Sequence, residues 1–321
     1  MNQHSELKLE QQLTMALKSI ARRSDLKAYV EQNPLVNRLL RQSALRYVAG
    51  DSLPEGLEAG KEISRRGYSL SIEYIGENTS DAEECEQAAA EMKALIQHLK
   101  QSGLPGRVSF DLSHIGLMIS PSLAYANLTE LAGQAEGTEI ELFISMEESG
   151  KTDDILSVYK QAAAEYSGIG ITLQAHLHRT PADLAALTSP GRIRIVKGAY
   201  QEPNHLSLAR SPELNERYLN LVEFAIRHGH QVSIATHDDA IMNAVREKGW
   251  LTSAQAELEM LYGIRPDLAK RLRDEGNPIR IYVPYGREWY LYLCHRIAEY
   301  PPNLYQAVID MVSGQEVNNN Y

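Results

Sequence analysis

From Tyr68 onward, short apolar runs alternate eight times with segments whose apolar residues recur at helical spacing. No other feature restricts the fold as much. The spacing predicts strands over Tyr68–Ile75, Arg107–Leu112, Glu139–Ser145, Ile169–Ala175, Arg192–Lys197, Gln231–Thr236, Ala254–Met260 and Ile279–Val283. Between the first two, Cys85, Ala88, Met92, Leu95, Ile96 and Leu99 line one helical face, opened by a Ser80/Glu83 capping box. Thr180-Pro181 and Ser211-Pro212 read as helix starts with proline at the first position. The last helix is expected over Glu288–Glu299, stopping before Pro301-Pro302. Eight strands, each followed by a helix, favour a closed (β/α)8 TIM-type barrel over an open α/β sheet.

Residues 5–50 read as helical, with Leu7, Leu9, Leu13, Leu17 and Ile20 on one face and Leu35, Leu39, Leu40 and Leu45 on a second segment. Asp51–Gly60 reads as a connecting loop because it holds Pro54 and two glycines. The expected organisation is a helical extension over 1–60 and a barrel over 61–321.

The central stretch is RIRIVKGAY, Arg192–Tyr200. Ile193, Ile195 and Val196 suit a buried strand, yet Arg194 and Lys197 interrupt it and Gly198 ends it. Cations are rarely buried without a partner. An anionic or electron-rich partner at that strand end is therefore expected. Gln174, Thr236, His237 and Tyr282 fall at the same end of their own strands, where a barrel places its active site.

A net charge of -10 argues against a nucleic-acid surface. No run approaches the roughly 18 apolar residues of a membrane span. The start, MNQHSELKLE, lacks the basic-then-apolar pattern of a secretory leader. Two cysteines, Cys85 and Cys294, with no CxxC, suit a reducing cytoplasm. Neither GxGxxG nor a P-loop appears, so a nucleotide would bind in some other way. The 17 tyrosines against 3 phenylalanines suit a polar pocket or surface packing.

Five motifs in order, LQAHLHR (173–179), RIRIVKGAY (192–200), ATHD (235–238), LYGI (261–264) and RIYVPYG–EWY (280–290), resemble the monofunctional bacterial proline dehydrogenase family. The resemblance covers over half the chain. It implies an FAD-binding catalytic barrel that oxidises proline to pyrroline-5-carboxylate and passes electrons to a membrane quinone. It further implies that Gln174 and Arg194 contact the flavin ring, with Arg194 near N5. Lys197, Gly198, Ala199 and Gln201 would line FAD, and Thr236 and His237 would hold the dinucleotide further out. Tyr282 and Tyr292 would wall the substrate, and Arg296 would pair with its carboxylate, steadied by Glu299. A cytoplasmic protein with at most a weak peripheral membrane contact is expected, and the oligomeric state stays open.

The departures from the family gather in the substrate site. Asp111 stands where the family has a lysine that meets the carboxylate, and His295 replaces the first of two arginines. Ser145 replaces an aspartate counted among the active-site residues, and Glu259 a glutamine. At an effective dielectric near 20, one charge at 4 Å is worth about 4 kcal/mol before solvation costs. Asp111 therefore opposes a carboxylate. The expectation is a cyclic or secondary amine with an altered or absent carboxylate, unless an Asp111–His295 pair restores a site for proline. Two rivals remain: a metal-dependent barrel hydrolase using His176, His178 and His237, and a non-catalytic flavin-binding homologue.

Overall fold

Eight parallel strands close on themselves in chain order, each hydrogen-bonded to the next and the eighth to the first. This is a computed structural model, and it describes residues 12–13, 15–17, 19–20, 23–188, 191–299, 302–313 and 321. The N-terminal helices are α1 (Ser24–Gln32) and α2 (Pro34–Ala44), followed by α3 (Leu53–Arg65). The barrel then runs β1 (Ser69–Tyr74), α4 (Ala82–Ser102), β2 (Arg107–Phe110), α5 (Pro121–Ala135), β3 (Glu141–Ile144) and α6 (Thr152–Glu165). It continues with β4 (Ile169–Gln174), α7 (Thr180–Ala185), β5 (Arg192–Val196), α8 (Pro212–Arg227), β6 (Gln231–Ala235) and α9 (Asp239–Glu247). Strand β7 (Ala256–Leu261), α10 (Pro266–Asp274), β8 (Ile279–Tyr285), α11 (Trp289–Glu299) and α12 (Pro302–Ser313) complete it.

All eight expected strands are present, shifted by no more than a few residues at their ends. Four local expectations are corrected. Residues 51–60 are largely helical, because Ser52 and Glu55 form a capping box and Pro54 sits in the first turn of α3. Gly56 and Gly60 there serve packing: a Cβ on Gly56 would come within 2.8 Å of the Tyr285 ring. The cap of α4 is Asp81, whose carboxylate accepts from the Glu83 and Glu84 amides, and not Ser80. Thr180 lies inside α7, its hydroxyl donating to the Gln174 carbonyl. Finally, Pro302 opens a further helix, α12, whose Asp310 takes a two-point ion pair from Arg46. Leu7 and Leu9 lie outside the described residues, as does the side chain of Glu299.

The outward strand face is apolar. Ile72, Val108, Ile171, Ile193, Ile195 and Ile234 are fully buried, facing the helices. Barrel interiors are usually filled by branched apolar residues; this one is polar. Fully buried Arg107 donates to Glu141 at 2.5 Å and to Ser233 at 2.8 Å, and pairs with Glu257 at 2.7 Å. Arg280 also binds Glu257, at 3.0 Å. Burial alone would push Glu257 up, but Arg280, Arg107 and Arg192 together hold it far below the usual carboxylate range. Removing one member of such a pair is costly because the other charge is left uncompensated.

Candidate active site

The C-terminal ends of the strands open into a cavity of about 1600 Å³. That exceeds the roughly 300–1,000 Å³ of a small-ligand pocket and has room for a dinucleotide with a second small molecule. Its floor is Arg194, on β5. The Arg194 Nε and Nη2 donate to Glu259 at 3.0 and 2.7 Å, and Nη2 also reaches Ser109 at 3.0 Å. The guanidinium lies 4.4 Å from the Phe143 ring centre and 4.9 Å from that of Tyr282. The anionic partner expected for Arg194 is thus present within the protein itself, as Glu259.

One flank of the cavity is acidic. Glu73 and Glu77 come from β1 and the loop after it, Asp111 follows β2, and Glu148 follows β3. Burial pushes Glu73 up to about 7, against a hydrogen bond with Tyr282 and the charge of Arg194. Burial, then Glu148 and Glu147, push Glu77 up to about 7. Asp111 is driven well above its ordinary value by burial and then by Glu147, Glu73 and Glu77. Its carboxylate has no hydrogen bond among the described residues. Lys151, the nearby cation, is engaged by Glu147 at 2.7 Å, Glu148 at 2.8 Å and Asn78 at 2.5 Å. The Tyr200 hydroxyl donates to Glu77 at 3.3 Å, and its ring lies edge-on to His295, 6.4 Å between centres.

The other flank is basic. Lys197, Arg210 and Arg265 line it together with Asp238 and Asp239, beside the N-terminal turn of α9, so cations outnumber acids by one. Lys197 pairs with Asp238 at 2.6 Å, Arg210 donates to the Gly198 carbonyl at 2.8 Å, and Arg265 to the His237 carbonyl at 3.0 Å. Gly198 has φ +108°, and a Cβ there would strike the His176 ring at 2.4 Å. Only glycine fits that turn.

The structure therefore gathers the residues singled out from the sequence. Asp111, Ser145, Gln174, Arg194, Lys197, Gly198 and Ala199 line the cavity, and so do Thr236, His237, Tyr282, Tyr292, His295 and Arg296. Gln201 is exposed and stands apart from the lining. Gln174 donates its amide to the Glu147 carbonyl at 2.8 Å. The His237 Nε2 accepts from the Leu261 amide at 3.1 Å. The Arg296 guanidinium stacks 4.8 Å from the Tyr292 ring centre. Among the described residues no group of three or more His, Cys, Asp or Glu is arranged to hold a metal. His178 is at the surface, where the Asn204 carbonyl lies 3.1 Å from its Nε2.

Sequence reasoning missed Glu73, Glu77, Tyr200 and the whole interior network. The signal was available: Ser71/Glu73, Ser109/Asp111, Thr172/Gln174, Arg192/Arg194 and Glu257/Glu259 are polar at every second position.

A family model described as proline dehydrogenase matches residues 57–303. Proline dehydrogenase 1 of Bacillus subtilis (strain 168) is 33% identical over 267 residues, covering 82% of this chain and 88% of its own. Proline dehydrogenase of Deinococcus radiodurans is 31% identical over 298 residues, covering 89% and 96%. In fold, the chain is similar to the crystal structure of proline utilization A from Bdellovibrio bacteriovorus, at 19% identity and a TM-score of 0.74. That match covers 85% of this chain and 35% of the longer one.

Proposed function

The chain belongs to the proline dehydrogenase family, and from that premise we propose that it oxidises a cyclic or secondary amine, proline or a close relative, with FAD as its cofactor. The observation that carries this reading is the strand-end cavity itself, which gathers Gln174, Arg194, Lys197, Gly198, His237 and Tyr282 of the family motifs beside an acidic flank. The basic flank suits the diphosphate of a dinucleotide, and the bare Gly198 turn leaves room for a bulky group close to the backbone. Lys197, Arg210 and Arg265 would hold the phosphates, and Gln174 and Arg194 the ring. FAD, when bound, would accept the hydride from the carbon next to the amine nitrogen.

The chain's own residues handle the amine. Tyr282 and Tyr292 wall the substrate, and Arg296 meets whatever anionic group it carries. A secondary ammonium must lose its N–H proton before its C–H bond can donate a hydride and a C=N bond can form. Glu77, poised near neutrality by burial and its acidic neighbours, suits that proton transfer. Ser145 and Arg194 lie nearest the reacting centre in this reading.

The acidic flank also bears on which amine is preferred. Asp111, driven up by burial and by Glu147, Glu73 and Glu77, offers a substrate carboxylate no positive charge, and the acidic groups around it disfavour a further anion. An amine with an altered or absent carboxylate is the preferred class. A quinone as acceptor, a peripheral membrane contact and a cytoplasmic setting complete the proposal. No helix among the described residues is long and apolar enough to cross a membrane. The test is a dye-coupled assay of purified protein with proline and with cyclic amines that lack the carboxylate. Faster turnover of the latter supports the substrate class; proline as the better substrate overturns that part alone. Bound flavin that no amine reduces would favour a non-catalytic homologue.

A further inference from the structure

Arg194 is enclosed by acceptors that account for most of its hydrogen-bonding capacity. Besides the fork to Glu259, Nη1 donates to Thr172 at 3.3 Å and Nη2 to Ser71 at 3.4 Å. Glu259 in turn lies 3.4 Å from Arg107, which Glu141 and Glu257 already hold. Four arginines (Arg107, Arg192, Arg194 and Arg280) thus meet three glutamates (Glu141, Glu257 and Glu259) inside the barrel. Glu141 and Glu257 serve the other three arginines. Among the described residues Glu259 is the one carboxylate in an ion pair with Arg194. Both partners are buried, at 5% and 3% exposure, so solvent screens the pair little.

A cation beside a flavin stabilises the electron-rich reduced form and so makes the flavin a stronger oxidant. A carboxylate 2.7 Å from that cation cancels most of this effect. We propose that Glu259 is a positioning residue that fixes Arg194 on the cavity floor and cancels its charge, so that the bound flavin is a weaker oxidant than it would be with an amide at 259. This rests on the FAD reading above and concerns a role not otherwise assigned to Glu259.

The test compares flavin-loaded native protein with Glu259→Gln, titrated anaerobically against a redox dye. The expected result is a shift of at least tenfold in the oxidised–reduced equilibrium toward reduced flavin, about 30 mV for a two-electron couple. An unchanged or lowered potential overturns the inference. Glu259→Asp keeps the charge but is too short to hold both nitrogens at once. It should retain a near-native potential while kcat falls, and a potential shifted as far as in Glu259→Gln would overturn the charge argument. Unfolding of the flavin-free proteins gives a readout that needs no cofactor. Glu259→Gln should melt below native, because a buried guanidinium loses its counter-charge; equal stability would contradict the pairing. If Glu259→Gln does not fold, the double variant Glu259→Gln, Arg194→Met should restore folding, and its failure to do so would overturn the charge argument. A native protein that takes up no flavin sinks the family-based reading of the site, whereas a loaded protein with an unmoved potential sinks this inference alone.

Discussion

The two flanks of the cavity both sit at the C-terminal ends of their strands and treat charge in opposite ways. On the flank after β5, β6 and β7, each cation has a nearby acceptor: Lys197 has Asp238, Arg210 the Gly198 carbonyl, Arg265 the His237 carbonyl and Asp239. On the flank after β1, β2 and β3, carboxylates outnumber their cations, and burial with mutual repulsion lifts Glu73, Glu77 and Asp111. The first arrangement is settled before any ligand arrives. The second becomes settled only when something cationic enters, which is what a protonated amine provides. On the function proposed above, the first flank is the cofactor side and the second the substrate side.

The strongest way to break the comparison is Gly198→Ala. Its positive φ and the His176 ring both oppose a Cβ, so flavin content, read from the ratio of visible to protein absorbance, should fall to background. Gly103→Ala is the control: Gly103 also has positive φ, but its Cβ would meet open space at the end of α4, and flavin content should be unchanged. Next is Asp111→Lys, which places a cation on the acidic flank. Its kcat/KM for proline should rise about 100-fold, roughly the 3 kcal/mol that one added cation at short range keeps after solvation costs. An unchanged proline rate would place Asp111 away from the carboxylate. A smaller effect is expected of Lys197→Ala, which should weaken flavin binding about tenfold by equilibrium dialysis. Lys151→Ala, on the opposite flank, should leave flavin affinity where it was.

The mildest effect is on stability. Glu77 has a folded pKa raised above its unfolded value, so the folded chain keeps a proton that the unfolded chain has lost. Its burial therefore destabilises the protein increasingly as pH climbs from about 4.5 to about 7, and does not below that window. Glu77→Gln removes the penalty. Melting curves should coincide near pH 4.5 and separate by on the order of 5 °C, variant higher, above pH 7.5. A constant offset across pH would mean that Glu77 ionises normally.

The barrel itself was legible because eight apolar runs with helical segments between them leave few alternatives. The strand-end groups were legible because Gln174, Arg194, Thr236, His237 and Tyr282 fall at one end of their strands. The acidic flank was less so. Glu73 sits inside SLSIEY, where Leu70 and Ile72 advertise a buried strand and hide that the alternate face is polar. RIRIV is the buried strand expected, and what stayed hidden was the identity of the partner: Arg194 points into a charged interior with Glu259 as its counter-ion, a pairing between β5 and β7 that separation along the chain conceals. Helix α3 was lost for a local reason: Pro54, Gly56 and Gly60 look like breakers, but proline belongs in a first turn and the glycines make room for Tyr285 and Leu70.

The most direct measurement mixes the purified protein anaerobically with pyrrolidine, and separately with proline, while its visible spectrum is recorded. The protein should be yellow, with a band at about 450 nm. That band should bleach with either amine, at a lower concentration of the one without a carboxylate. A colourless protein, or a yellow one whose band neither amine bleaches, would contradict the proposed function.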